Sequence, residues 1–554
     1  MSDLQSAVET INQAIESKQV GQPLAVRFVA ALSADHGTLE NFSASALSTV
    51  ATWMQAKPDR VFVQGSVKSG HLSVIARFAN GASGLITVAS CGVGEPKLEI
   101  ALIGNHGMLS WEANDVVEPM AGKTGELQAG AKDMLKLIQQ SVGDSNPVVE
   151  GKTRSKRATS PQAAATAVVK PTGPTKAPYG LLLVSGEHTH QPGYAQTLLA
   201  DKRCKAIGMV DEDNVDADRK RLNEALAKRM GIPVLPSLDA ALQRDDVHMV
   251  SICAEPRRRG RIILAAAKAK KHIYLDKPFT ITTKEAVEIE QEVAKSKIVA
   301  HMFSQVRSSA AVRIKNALKA NDLGDLIGFH TDLTFSKGPA GGAQLGKPRQ
   351  ESSEPKIYEV LDSKRELTNI GVYPLVLLLW LFNKKVKNVY ATTGNYYFAE
   401  HQKNDMEDHG QVLMQIDGGM IASINVGRTG WHSHPGGSHN RTYLIGSKKT
   451  LVIDAHRPRV EVWSDAPAWA PPGRNPQDPM GMWDTPPSES QFKVTPRNDW
   501  YTPPVSVESD FTYFIDCVEK GVQSDVNVNV AADTTEILLA AYKSAATGDL
   551  VELK

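Results

Sequence analysis

The chain has 554 residues, too many for one hydrophobic core, and typical domains of about 100 to 200 residues divide it into about three or four units. Lys plus Arg (62) balance Asp plus Glu (61), so no net field draws it to nucleic acid or to an anionic membrane. Cys91, Cys204, Cys253 and Cys517 lie far apart without a C-x-x-C pair, which excludes a disulfide framework and points to reduced thiols in a cytosol.

The opening MSDLQSAVETINQAIE lacks the basic and apolar regions of a signal peptide, so a cytoplasmic location is expected. INQAIESKQVGQPLAVRFVAAL (11–32) then reads as helix, glycine turn and strand. SALSTVATWMQAKPDRVFVQGSV (45–67) reads as a helix and a strand, ARFANGASGLITVA (76–89) as strand, glycine turn, strand, and LIGNHGMLSW (102–111) follows. Each pattern returns later in the same order, as IKNALKANDLGDLIGFHTDL (314–333), YPLVLLLWLFNKKVKNVYATTG (373–394), MQIDGGMIASINVG (414–427) and LIGSKKTLVI (444–453). Trp53 falls against Trp380, and Ala46 near Tyr373. The first copy has no counterpart of KGPAGGAQLGKPRQESSEPKIYEVL (337–361), nor of most of RTGWHSHPGGSHNR (428–441), segments placed where binding loops are carried. It therefore reads as structural and the second copy as functional. VYPLVLLLWLF (372–382) is far shorter than the roughly 20 residues that span a bilayer and reads as a buried helix.

Between the copies, residues 141–177 are poor in aromatics and rich in Ala, Thr, Pro and Lys, the composition of a linker. From Gly180 short apolar strands alternate with helices: LLLVSG, a helix from Pro192, KAIGMVDED, RKRLNEALAKRM, VHMVSICAEP, GRIILAAAKAKK and HIYLDKP. That rhythm implies parallel pairing in a doubly wound sheet, whose ligands bind beyond the C-terminal ends of the strands. Asp211, Glu255 with Pro256, and Lys277 all fall there. The first turn, GEHTHQPG (186–193), keeps Gly186 but carries His188 and Gln191 where a G-x-G-x-x-G loop has glycines. It reads either as an ordinary polar turn or as a wider phosphate loop with His188 or His190 and the helix start near Gly193 facing the phosphates. Asp211 closes the second strand, 25 positions beyond Gly186, and as a ribose-binding carboxylate it favours NAD over NADP.

The succession of YLDKPF, HMFSQVR, LGDLIG and a closing AAYKSAATGDLVEL resembles the glucose-fructose oxidoreductase, inositol dehydrogenase and rhizopine-catabolism (Gfo/Idh/MocA) family, over about residues 178 to 554. Asp276 stands where the family has the Glu of E-K-P. In TNIGVY (368–373), Asn369 and Tyr373 replace the Asp and His of D-x-G-x-H, Tyr being found there in the glucose-fructose oxidoreductase branch. The resemblance implies an α/β Rossmann domain (178–300) and an α+β substrate domain with a large open-faced, mainly antiparallel sheet (301–554). The repeat adds an N-terminal α+β copy of the latter (1–140). The resemblance also implies a nicotinamide cofactor and a sugar, polyol or sugar-acid substrate.

Hydride exchange with an alcohol needs a group that takes the hydroxyl proton and a charge that stabilises the developing alkoxide. Lys277 meets the second need, and Tyr373 is expected to carry the proton, its phenol pulled down by the Lys277 ammonium. Asn369 completes the catalytic set, and Asp276 joins the residues expected around the cofactor. Substrate contacts are expected from Arg307, Arg428, Trp431, His432, His434 and His439. Arg428 and Arg441 suit a sugar-acid carboxylate, and the three histidines lack a carboxylate or Cys cluster that would make them a metal site. The reading is an NAD-dependent oxidoreductase on CH-OH groups. Its alternatives are a glycoside-cleaving enzyme using transient oxidation and a non-catalytic dinucleotide or sugar sensor. Apolar alternation in VFVQGSV and LSVIARF demands cover for a sheet face, so residues 1–140 are expected to act as a pseudo-dimer partner within the chain, beside any homo-oligomer.

Overall fold

Successive residues of a strand turn to opposite faces, and the N-terminal strands Pro23–Leu32, His71–Phe78 and Ser83–Ser90 are buried on both. The computed structural model describes residues 3–32, 38–90, 97–113, 129–149, 158–159, 176–186, 190–319, 323–336, 358, 360–361, 365–429, 438–448, 450–455, 460–463, 498–501 and 507–553. Within it β1 (Pro23–Leu32), β2 (Pro58–Ser66), β3 (His71–Phe78), β4 (Ser83–Ser90), β5 (Lys97–Gly104), β6 (Met108–Ala113) and β7 (Val148–Val149) form one sheet in the order β6-β5-β1-β4-β3-β2-β7. β1 and β4 run parallel and the other neighbours antiparallel. Val26, Phe28, Val63, Val74 and Ile86 turn to the face covered by the helix Leu39–Met54, which Thr38 caps by accepting from the Asn41 amide.

β8 (Ala158–Thr159) precedes a second sheet of β9 (Tyr179–Val184), β10 (Cys204–Val210), β11 (Met249–Ile252), β12 (His272–Leu275) and β13 (Ala300–Met302). These strands are all parallel, in the order β10-β9-β11-β12-β13. β9, β11 and β12 are buried along their whole length, which suits strands covered by helices on both faces. The strand order reverses at β9, so a crevice opens beyond the C-terminal ends of β9 and β11.

The third sheet contains β14 (Leu326–Ser336), β15 (Val386–Gly394), β16 (His409–Ile416), β17 (Ile421–Thr429), β18 (Ser438–Gly446) and β19 (Thr450–Asp454). β20 (Val460–Trp463) and β21 (Asn498–Tyr501) pair separately, and β22 (Val551–Glu552) joins the large sheet in the order β19-β18-β14-β17-β16-β15-β22-β8. Over the strands from β18 to β15, order and direction repeat those of the first sheet: β14 and β17 pair in parallel as β1 and β4 do, and β18, β16 and β15 take the places of β5, β3 and β2. The register shift between Pro23 and Ala25 recurs between Leu326 and Gly328, and that between Pro58 and Arg60 between Val386 and Asn388.

The two large sheets lie face to face with their helices outside. Phe329, Leu333, Ile424 and Val426 turn to the helices Glu366–Phe382 and Val528–Thr547, while Tyr390, Leu413 and Ile421 meet Phe62, Ile75 and Leu85 of the first sheet. The Phe62 and Tyr390 rings are 4.7 Å apart. Polar contacts also cross: His71 Nε2 to His330 Nε2 at 3.0 Å, Gln64 Nε2 to Asn388 Oδ1 at 2.5 Å, and Arg441 Nη1 to Glu99 Oε1 at 2.7 Å. Within the expected linker, residues 141–144 are helix, and residues 148–149 and 158–159 are strand. The helix Ala129–Asp144 runs into it, β7 pairs with β2, and β8 pairs with β22, each closing a strand edge that would otherwise expose its backbone groups. No helix among the described residues is long and apolar enough to cross a membrane.

Candidate active site

The ends of β9, β10, β11 and β12 border the crevice, and the helix Glu366–Phe382 faces them from the other domain. β12 leads directly into Asp276 and Lys277, which are 3% and 5% exposed. Asp276 is a hub: its Oδ1 accepts from the Lys277 amide at 2.9 Å, from His190 Nδ1 at 2.9 Å and from the Tyr194 hydroxyl at 2.8 Å. Arg259 Nη1 donates to the Asp276 carbonyl at 3.0 Å. Burial alone would raise the Asp276 carboxyl, but the His190 charge and hydrogen bond, with Arg259 and Lys277, outweigh it and hold the group below the ordinary carboxylate range.

Lys277 Nζ donates to the Asn369 backbone carbonyl at 2.9 Å and to the Asn369 side-chain oxygen. It also sits 5.1 Å from the centre of the Tyr373 ring. Burial lowers its pKa to about 8, opposed by Asp276 and Glu366 and assisted by Arg428 and Arg259. The Asn369 amide donates to Glu366 Oε2 at 3.3 Å, and the same oxygen accepts from Arg428 Nε at 2.9 Å. Glu366, Asn369 and Tyr373 stand at i, i+3 and i+7 on the helix Glu366–Phe382, so one face presents all three. That spacing was readable beforehand, yet Glu366 was missed because TNIGVY begins two residues after it.

The structure corrects one expectation about Tyr373. Its phenol is pushed up, by burial and by the Asp276 charge, although Arg428 acts the other way. The reason is geometric: the Lys277 ammonium faces the ring and directs its hydrogens at Asn369, so it does not stabilise a phenolate. Tyr373 is a neutral hydroxyl whose oxygen makes no hydrogen bond to another described residue.

Around the crevice Gly186 follows Ser185 (φ 63), and a side chain at Gly186 would collide with Asn223. Gln191 goes where a glycine was expected, but it points down into the sheet, its amide donating to the Val184 and Ser251 carbonyls at 3.2 and 2.9 Å. His190 occupies the N-cap of the helix Gln191–Ala200 without a side-chain capping bond, and with Pro192 lacking an N–H the amides of Gln191 and Gly193 are the donors this helix start can offer an anion. Asp211 ends β10 and is bonded by Asn223 Nδ2 at 2.9 Å and Arg258 Nη1 at 2.8 Å. Arg258 also reaches Glu212 and Glu255, and Arg219 pairs with Glu255. The Asp211 charge is thus partly compensated by Arg258. Glu255 and Pro256 open the helix Pro256–Lys268 at the end of β11.

The expected substrate residues separate. Arg428 is at the site, fully buried. Arg307 is elsewhere: it pairs with Asp525 at 2.9 Å and its guanidinium carbon lies 3.4 Å from the centre of the Tyr513 ring. Leu444 faces the helices, so alternation along β18 turns His439 and Arg441 to the opposite face, where Arg441 bonds Glu99 and Glu112 of the first sheet. His188, Trp431, His432 and His434 lie outside the described residues.

Residues 190–303 match the oxidoreductase family with NAD-binding Rossmann fold, and residues 311–452 match the GFO/IDH/MocA C-terminal domain. Levoglucosan dehydrogenase of Pseudarthrobacter phenanthrenivorans is 23% identical over 232 residues, which cover 38% of this chain and 56% of that protein. The chain thus spans little more than half the length of that relative. Myo-inositol 2-dehydrogenase of Thermotoga maritima is 20% identical over 270 residues, 48% of this chain and 72% of that one. The fold is similar to that of scyllo-inositol dehydrogenase from Lactobacillus casei, solved with NAD(H) and scyllo-inositol, at a TM-score of 0.50 and 17% identity over 68% of this chain and 98% of that one.

Proposed function

Because the chain carries the NAD-binding domain and the C-terminal domain of the Gfo/Idh/MocA family, we propose that it is an NAD-dependent oxidoreductase acting on an alcohol of a sugar, polyol or sugar acid. One observation supports this above all: a buried lysine with its pKa lowered to about 8 stands at the strand ends, against a neutral tyrosine from the other domain. The chain's residues suit the cofactor. The turn at Gly186 and the uncapped helix start at His190 would hold its phosphates, Asp211 its ribose, and Glu255 and Pro256 the edge of the crevice.

When bound, the cofactor supplies the acceptor for the hydride that leaves the alcohol carbon as the C–O bond becomes a carbonyl. Lys277, as the neutral amine, takes the hydroxyl proton. Asn369 aims the Lys277 nitrogen, and the Tyr373 hydroxyl donates to the same alcohol oxygen, holding the carbon in line. In the reverse direction the Lys277 ammonium returns the proton.

The test is mass spectrometry of the co-purifying nucleotide followed by NADH formation over a panel of sugars, polyols and sugar acids. Turnover that disappears in Lys277→Met while NAD binding persists is the expected result. Full turnover in that variant, or no dinucleotide binding in the wild type, would refute the reading.

We also propose that residues 1–140 are a degenerate copy of the substrate domain that serves as a built-in partner. The shared strand order, the shared register shifts and the stacking of Phe62 on Tyr390 support this.

A further inference from the structure

We propose that Arg428 is the receptor for a carboxylate on the substrate, so that the alcohol oxidised beside Lys277 belongs to a uronic or aldonic acid. This rests on the dehydrogenase reading above and names its substrate class. Arg428 lies on β17, on the face turned toward the helix Glu366–Phe382, and its side chain is 1% exposed. Its backbone amide donates to the Asp408 carbonyl at 2.8 Å, and its Nε to Glu366 at 2.9 Å, so the guanidinium is held at its inner edge. The Phe335 ring lies 5.7 Å from the guanidinium carbon.

The outer edge is different. Nη1 and Nη2 are both buried, and neither has a hydrogen-bond acceptor among the described residues. A buried guanidinium stripped of acceptors on two nitrogens is costly, because it has lost hydration without replacement. Two coplanar N–H donors at the end of a fixed guanidinium match the two oxygens of a carboxylate.

Arg428 and Lys277 are joined through Glu366 and Asn369, so a carboxylate on Arg428 lies within one small molecule of the reacting hydroxyl.

The test compares the full chain with Arg428→Gln and Arg428→Lys, each first shown to melt cooperatively. The probes are D-glucuronate, D-galacturonate and D-gluconate with their neutral counterparts D-glucose, D-galactose and D-glucitol, in the presence of NAD+. NADH formation is measured, and separately the protection each probe gives against thermal unfolding. In the wild type an acid should exceed its neutral counterpart in kcat/KM by about 10- to 100-fold, the worth of a charge-assisted bidentate pair. Arg428→Gln should abolish that preference and Arg428→Lys should keep part of it. Equal or better turnover of the neutral compounds by the wild type overturns the carboxylate proposal, leaves the dehydrogenase reading standing, and needs no variant. Arg428-dependent protection by an acid without any NADH supports the receptor while removing the dehydrogenase reading. Neither turnover nor protection removes both.

Discussion

If Lys277 is the proton acceptor, the pH dependence of alcohol oxidation is set by its titration. An ordinary lysine at pH 7 is unprotonated in about 1 molecule in 3,000, whereas with its pKa lowered from 10.5 to about 8 the fraction is about 1 in 11. Burial thus supplies about 300-fold more neutral amine at that pH. The wild-type rate should rise about tenfold per pH unit up to about pH 8 and then level off. Lys277→Arg keeps a cation that does not deprotonate, and should lose about 100- to 10,000-fold in kcat while NAD+ affinity, titrated by fluorescence, changes little. Initial rates of NADH formation between about pH 6 and about pH 10 decide the matter. A flat wild-type profile, or an arginine variant within about tenfold of wild type, would refute the role given to Lys277.

The same shift has a consequence for stability. Between about 8 and 10.5 the unfolded chain holds a proton that the folded chain has released, so the stability deficit from burying Lys277 is full below about pH 8 and disappears as pH rises. Relative to Lys277→Met, wild type should gain up to about 3 kcal/mol across that window in urea denaturation, and a relative loss would contradict the burial argument. His71, lowered to about 3 by burial and by Arg27, works in the acid range: the unfolded chain binds its proton first as pH falls below 6.5. Between about pH 7 and about pH 5 wild type should lose about 2 kcal/mol more than His71→Gln, measured by chemical denaturation, and equal losses would mean the histidine is not protected in solution. Deleting residues 1–140 should expose Tyr390, Leu413 and Ile421 and produce aggregation or dimerisation in size-exclusion chromatography, whereas a soluble active monomer would count against the built-in partner.

The order of units was legible because it rests on local signals. Strand-helix rhythm announced the parallel sheet, YLDKPF marked the strand end that carries Asp276 and Lys277, and the four echoed segments fall on strands that hold corresponding places in the two large sheets. Apolar residues in VFVQGSV and LSVIARF also showed that the second face of the first sheet needs cover. Which face goes where was not legible. Arg428 and Arg441 both looked like substrate residues, yet they sit on opposite faces of one sheet, and Arg441 is taken by Glu99, 342 positions away. Arg307 is likewise held by Asp525, 218 positions along the chain. The ionisation of Lys277 and Tyr373 was decided by the tertiary structure alone. Residue type sets only the starting pKa, while burial and the direction of each hydrogen bond set the shift, and those exist only once distant segments have packed together.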